Sequence, residues 1–180
     1  TAHYAAENKY SIQEAARTLR YHWFETLLDE SRPGQTGSGM MPLTDTRYIV
    51  TAHHLDDNIE TLLMHFFRGT GIQGLRGMLP RQGRVVRPLL FARKEQLLHY
   101  AADRQLGWVE DSSNAADKYS RNYFRHQVLP LVQRIYPGVE ANLAANLHRL
   151  GEVEQLYSQA VALHKKKLLE KKGNEVHIPV

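Results

Sequence analysis

Residues 53–57 read His-His-Leu-Asp-Asp, directly after the apolar run Tyr48-Ile49-Val50. Two imidazoles and two carboxylates in so short a stretch admit three kinds of chemistry. Aspartates in a first helical turn interact favourably with the helix dipole, so Asp56 and Asp57 need no ligand at all. His53, His54 and Asp57 also form a donor set that suits zinc, manganese or iron. The third chemistry is that of nucleotides, in which an aspartate holds Mg²⁺ against phosphates. Capping alone leaves the histidine pair unexplained, because only one of the two can face the same way as Asp57. The position favours ligand chemistry: in open α/β sheets ligands bind past the carboxyl ends of strands, where the next helix begins.

Two further segments carry candidate chemistry. Gly69, Gly71 and Gly74 stand in the pattern G-x-G-x-x-G. A dinucleotide fingerprint must follow a strand and open a helix, and this stretch follows a helical pattern. It reads as a glycine-rich helix stop, or as a loop whose backbone approaches a substrate. Arg121 and Arg125 lie one helical turn apart and make a two-pronged cationic face suited to phosphate, or else a solvated basic face. Tyr123 and Phe124 are expected to pack inward. The run HKKKLLEKK at 164–172 reads as a solvated helix end that could touch an RNA backbone. Neither a Walker A loop nor a G-x-S-x-G elbow occurs.

The elements that must hold these residues follow from periodicity. No clear element is read in residues 1–10. Ser11 with Glu14 forms a capping box that opens a helix to about Asp29, with Ala16, Leu19, Trp23 and Leu27 on one face. Residues 31–46 are rich in Gly, Ser, Thr and Pro and read as a loop. Arg47–Thr51 reads as a buried strand. A helix from Leu55 to about Phe67 follows, with Ile59, Leu62, Leu63 and Phe66 at helical spacing. Val85–Leu90 is extended, Arg93–Leu106 helical, Trp108–Glu110 a short strand and Asp111–Asn114 a polar turn. A helix from about Ser120 to Ile135 is interrupted or kinked by Pro130. A long helix runs from Val139 to about Lys171, and Glu175–Val180 is a further strand. Strands alternating with helices, then helices only, predict an α/β fold. Part of a parallel-sheet domain would cover 1–110, a helical extension 111–172, and a further segment would start at 173–180.

Composition narrows the classes. The chain has 180 residues, 42% hydrophobic and 23% charged, a formal net charge of +4 and a pI near 9.3. That balance favours an anionic partner, nucleic acid first. The absence of cysteine excludes disulfides, Cys-ligated zinc, iron–sulfur clusters and thiol nucleophiles in this chain. No signal peptide and no membrane-spanning apolar run are read, so a cytoplasmic location is expected.

Taken together, HHLDDNIETLLMHFFRGTGIQGLRGM (53–78), RPLL (87–90), WVEDSSN (108–114) and RNYFRHQVLP (121–130) resemble the tRNA(Ile)-lysidine synthetases in order and spacing. These are PP-loop enzymes, N-type ATP pyrophosphatases of the adenine-nucleotide alpha hydrolase-like fold. SIQEAARTLRYHWF (11–24) is similar to the helix that precedes HHxxD in that family. The resemblance implies an ATP-dependent ligase that adenylates C2–O of the wobble cytidine in a CAU-anticodon tRNA(Ile). The ε-amine of free L-lysine then attacks C2 and AMP leaves. It further implies ATP and Mg²⁺ as cofactors and Asp57 as the site carboxylate, organising the metal or the amine. Arg20 and Arg125 become cations near the adenylate and the tRNA. His53, His54, Asp56, Glu60, Arg121 and Asn122 shape the pocket, and Gly69, Gly71 and Gly74 form a cover or RNA contact.

The family's phosphate-cradling loop, S-G-G-x-D-S, does not occur in these residues. The chain is therefore expected to be a fragment, inactive on ATP alone, with an exposed strand edge that favours association and admits a homodimer. Other readings remain. A cytidine thiolase of this fold generally needs cysteines, and there are none. A non-catalytic tRNA-binding module would bind with salt dependence and without ATP. A metal-dependent phosphohydrolase built on HHLDD would retain stoichiometric transition metal.

Overall fold

A computed structural model describes residues 1–30, 47–109, 120–172 and 175–177. The loop read at 31–46, residues 110–114 and the tail from 178 lie outside them. The chain divides into two compact units. One comprises Thr1–Thr51 with Arg81–Val86, the other Ala52–Pro80 with Arg87–Val180.

The first unit opens with α1 (Ala2–Asn8), where no element was expected. Its alanines have the highest helix propensity, but no side chain caps its N-terminus, so the start signal is missing. The helix α2 (Ile12–Glu30) begins as read. The Ser11 backbone N–H donates to Glu14 Oε2 at 3.0 Å, and the Glu14 N–H donates to Ser11 Oγ at 3.2 Å. The inward stripe differs from the expected one: Ala15 and Leu28 are buried, whereas Trp23 and Leu27 are exposed. Contact with α1 selects the neighbouring stripe of α2. The small sheet has the order β1 (Ile49–Val50), β3 (Val85–Val86), β2 (Arg81–Gln82). β1 runs parallel to β3, pairing Ile49 with Val85 and Val50 with Val86. β2 runs antiparallel to β3 across a tight turn in which Gly83 has φ +59°. The strand read at 47–51 is present but Val50 is exposed. The Arg87 N–H still donates to Pro80 O at 2.7 Å, in register with the β2 pairing, and β3 stops at Val86 because neither Pro80 nor Pro88 has an N–H to continue the ladder.

The second unit is helical. α3 (Leu55–Arg68) places Ile59 and Leu62 in a core with Leu129 and Leu147, flanked by Leu55, Leu63, Leu143 and Leu150. Phe66, expected on that face, is exposed, and its ring stands edge-on to Phe67. α5 spans Lys94–Asp103, and Trp108 and Val109, expected in a strand, are exposed and pair with no strand among the described residues. The helix read at 120–135 is three pieces: α6 (Ser120–Tyr123), a π-helical turn (Phe124–Val128) and α7 (Leu129–Ile135). Pro130 interrupts it as read, through a wider turn just ahead of the proline. Proline supplies no N–H to residue 126 and its ring crowds that carbonyl, and a π-turn accommodates both. Tyr123 is exposed rather than inward, whereas Phe124 is half-buried against Phe67, with ring centroids 5.6 Å apart. α8 spans Val139–Leu168, and a hairpin of β4 (Glu170–Lys172) and β5 (Glu175–His177) follows. The basic end at 164–172 is thus part helix, part strand.

The glycine-rich segment contains one turn of helix, α4 (Ile72–Leu75), and is pinned at its far end. Met78 N–H donates to Asn58 Oδ1 at 2.6 Å, Arg76 pairs with the buried Glu154 of α8, and His65 Nδ1 donates to Gly74 O at 2.9 Å. Gly77 has φ +69°, and a Cβ there would lie 2.3 Å from Asn58 Oδ1 and 2.7 Å from Leu147 Cδ2. Backbone strain and overpacking each contribute about 1–2 kcal/mol, so Gly77→Ala is expected to lose about 2–4 kcal/mol. Urea unfolding at unchanged slope reads this directly. A loss below about 0.5 kcal/mol would mean that Asn58 and Leu147 yield without strain.

Candidate functional site

The first turn of α3 carries the HHLDD residues. His54 is the N-cap, in an extended conformation with φ −117°. Its backbone N–H donates to Asp57 Oδ2 at 3.0 Å. Asp57 therefore does the capping work that its position allows, and its other oxygen is turned elsewhere. Oδ1 lies 3.3 Å from Arg125 Nη2 and 3.8 Å from Arg121 Nη1. One turn along α3, Glu60 is 1% exposed. The Arg125 fork closes on it, Nε to Oε1 at 2.6 Å and Nη2 to Oε2 at 3.0 Å. Arg121 is held more loosely. Its Nη2 donates to Thr61 Oγ1 at 2.9 Å, and its Nε stands 3.7 Å from Glu60 Oε2.

Two carboxylates from α3 thus meet two guanidinium groups from α6 and the π-turn, and the four charges balance. Burial pushes the Glu60 carboxyl above the usual range, the charge of Asp57 adds to this, and Arg125 opposes it. For Arg125, burial acts against the charged form, but its bond and charge interactions with Glu60 outweigh burial and raise its pKa. Arg121 keeps 34% of its side chain exposed, against 23% for Arg125. With its longer ion pairs it is the cation better able to turn to an incoming anion.

Asp56 faces away from this cluster. Arg93 Nε donates to its Oδ1 at 2.7 Å and the Lys94 backbone N–H to its Oδ2 at 2.7 Å. Burial raises its pKa, yet the His54 side chain, the Lys94 N–H and the Arg93 charge outweigh burial and hold it well below the usual carboxylate range. His54 lies between the aspartates, Nδ1 3.4 Å from Asp56 and Nε2 3.4 Å from Asp57. These distances are long for hydrogen bonds, and the buried Nδ1 makes none.

Of the residues singled out from sequence, His54, Asp56, Asp57, Glu60, Arg121 and Arg125 come together. Asn122 is buried on α6, and His53 is half-buried just before α3. Gly69 ends α3 about 18 Å from Asp57 along the helix axis, and the segment with Gly71 and Gly74 folds back beside α3, where Gly74 O is bonded by His65. Arg20 is exposed on α2, in the first compact unit. Among the described residues no three histidine, aspartate or glutamate side chains are grouped to hold a metal ion. The centre of His53, His54 and Asp57 is accordingly not formed. Arg93, Thr61 and Glu140 complete the site's hydrogen bonding, and none has a sequence signal beyond being polar. Arg93 is 37 residues from its partner Asp56.

A family model described as the PP-loop domain matches residues 2–132, well over half of the chain. The chain belongs to the PP-loop domain family. Within it, the chain is similar to several tRNA(Ile)-lysidine synthases. That of Bacteroides thetaiotaomicron is 38% identical over 96% of this chain and 38% of the relative. That of Parabacteroides distasonis is 41% identical over 87% of this chain and 33% of the relative. That of Thermosipho africanus is 34% identical over 84% and 32%. The chain spans roughly a third of the length of these curated relatives.

Proposed function

We propose that the protein containing this chain ligates lysine to the wobble cytidine of tRNA(Ile) with ATP. One observation carries the reading: HHLDDNIE and RNYFR, 60 or more residues apart, build one ion cluster between Asp57, Glu60, Arg121 and Arg125. In the first step, cytidine O2 attacks the α-phosphate of ATP and pyrophosphate leaves. In the second, the ε-amine of lysine attacks C2, the C2–O bond breaks and AMP departs. Both steps move negative charge onto phosphate oxygens, and preorganised cations stabilise that charge strongly. Arg121 is the group assigned to meet it, and Arg125 holds Glu60 and Asp57 in place. Asp57 takes the lysine amine or shares a metal with the nucleotide. His53, His54 and Asn122 line the approach. Mg²⁺ uses few protein ligands and keeps phosphate oxygens and waters, so one Asp57 oxygen and the nucleotide could hold it. The cytoplasm is the compartment assigned, where ATP, free lysine and tRNA occur together.

The test is incorporation of labelled L-lysine into a CAU-anticodon tRNA(Ile) transcript by the intact gene product. The expected result is one lysine per tRNA, dependent on ATP and absent from a transcript with another base at the wobble position. Salt-dependent tRNA binding without incorporation would instead support the binding-module reading, which the pI near 9.3 favours.

A further inference from the structure

Asp56 is next to Asp57, yet both of its oxygens are engaged at 2.7 Å by groups outside α3. Both bonds tie it to the start of α5 rather than to the cluster around Asp57. The Lys94 N–H that it accepts is the first of α5, so Asp56 caps one helix from the first turn of another. Leu55 N–H donates to Ala92 O at 2.9 Å and closes the same junction. Arg93 carries the connection onward: its Nη2 reaches Glu140 Oε2 at 2.7 Å, in the first turn of α8. Gln133 Nε2, from the end of α7, donates to the same Glu140 oxygen at 3.2 Å. α7 continues directly from the turn that carries Arg125. A chain of polar contacts therefore begins beside Asp57 and ends on the segment that holds Arg125.

We propose that Asp56, Arg93 and Glu140 form a positioning relay that sets the separation between Asp57 and Glu60 on α3 and the two arginines on the facing segment. The proposal rests on the reading above that this cluster is the reactive site. Asp56 is a positioning residue here, not a pocket residue. The relay is more than general packing because its contacts are short, directional and partly buried. Arg93 gains enough from its two carboxylates to hold its proton more tightly than usual, although burial opposes this. Misplacing a reacting group by about 1 Å costs on the order of 100-fold in rate.

The experiment uses the full-length protein and the substitutions Asp56→Asn and Glu140→Gln, with steady-state lysine incorporation as the first readout. Asp56→Asn is expected to lower kcat about 10- to 100-fold and to leave the KM values for lysine and ATP within about threefold. The double variant should be no slower than Asp56→Asn alone, because both act through Arg93. Hydrogen–deuterium exchange supplies a readout that does not depend on the reaction. Glu140→Gln, made on α8, should speed exchange in segments 54–61 and 121–128 and leave the far half of α8 unchanged. A tenfold rise in KM at constant kcat would place Asp56 on the substrate and overturn the relay. So would unchanged kinetics, or exchange that rises uniformly over the chain. If wild-type protein incorporates no lysine while exchange responds as described, the relay stands and the functional reading falls.

Discussion

Arg125→Met is expected to lower stability by about 3–5 kcal/mol at pH 8, the cost of leaving a buried carboxylate without its partner. Both Glu60 oxygens are bound by the Arg125 fork, and Glu60 has almost no access to water. Asp57 is close enough to Glu60 to repel it. Arg121, with its Nε 3.7 Å from Glu60, offsets part of the loss. The pH dependence has a definite sign. Burial already lifts the Glu60 carboxyl above its ordinary value, so the folded protein binds that proton more readily than the unfolded chain. The stability contributed by a protonated Glu60 is complete below the ordinary carboxyl range and is lost as pH rises through the raised folded value. Removing Arg125 removes the largest opposing interaction and moves that value higher still. The substitution should therefore cost most at pH 8 and distinctly less at pH 5, where Glu60 can take up a proton. Glu60→Gln added to Arg125→Met should recover much of the loss at pH 8, since a neutral amide avoids the unpaired charge. Urea unfolding at the two pH values checks all three statements. A cost below about 1 kcal/mol at pH 8, or one independent of pH, would mean that water reaches Glu60 in the folded protein.

The legible parts of this molecule are those whose signals are local. The capping box at Ser11 and Glu14, the start of α3 at Leu55, the core stripe of Ile59 and Leu62 and the glycine stop after Arg68 all depend on residues within one or two helical turns. The site was half legible for the same reason. HHLDD and the Arg121/Arg125 pair announce charge at helical spacing, but nothing within either segment says that they meet. Their pairing is long-range, and so is the separation of Asp56 from Asp57: adjacent aspartates look equivalent until Arg93 and Lys94 claim one of them. The α2 stripe failed where α1, itself unmarked by a cap, chose the buried side. β3 ended early because Pro80 and Pro88 have no N–H to extend the ladder on either side, a limit that the apolar run Val85–Leu90 does not record. Gly77, rather than the three glycines of the G-x-G-x-x-G pattern, carries both a positive φ and a close approach to neighbouring side chains. A glycine's need is set by what packs against it, and in this case that is Asn58 on one side and Leu147 on the other.

Asp57→Asn in the full-length protein is expected to reduce lysine incorporation about 1000-fold or more, while the fold survives. The amide keeps the shape of the side chain, and its oxygen can still accept the His54 N–H, so the capping loss is held to about 1 kcal/mol. What is lost is the negative charge beside Arg121 and Arg125. The two steps of the proposed reaction separate the roles that this charge can have. If Asp57 orients the lysine amine, the variant should still release pyrophosphate and accumulate adenylated tRNA, with the second step blocked. If Asp57 shares a metal with the nucleotide, pyrophosphate release should fall together with incorporation, and raised Mg²⁺ should restore part of it. Near-normal incorporation would remove Asp57 from the chemistry and leave it as the helix cap that its bond to His54 already makes it. The comparison with Asp56→Asn sharpens the test. A side chain that only positions should cost kcat at preserved KM, and one that touches a reactant should fail at one identifiable step.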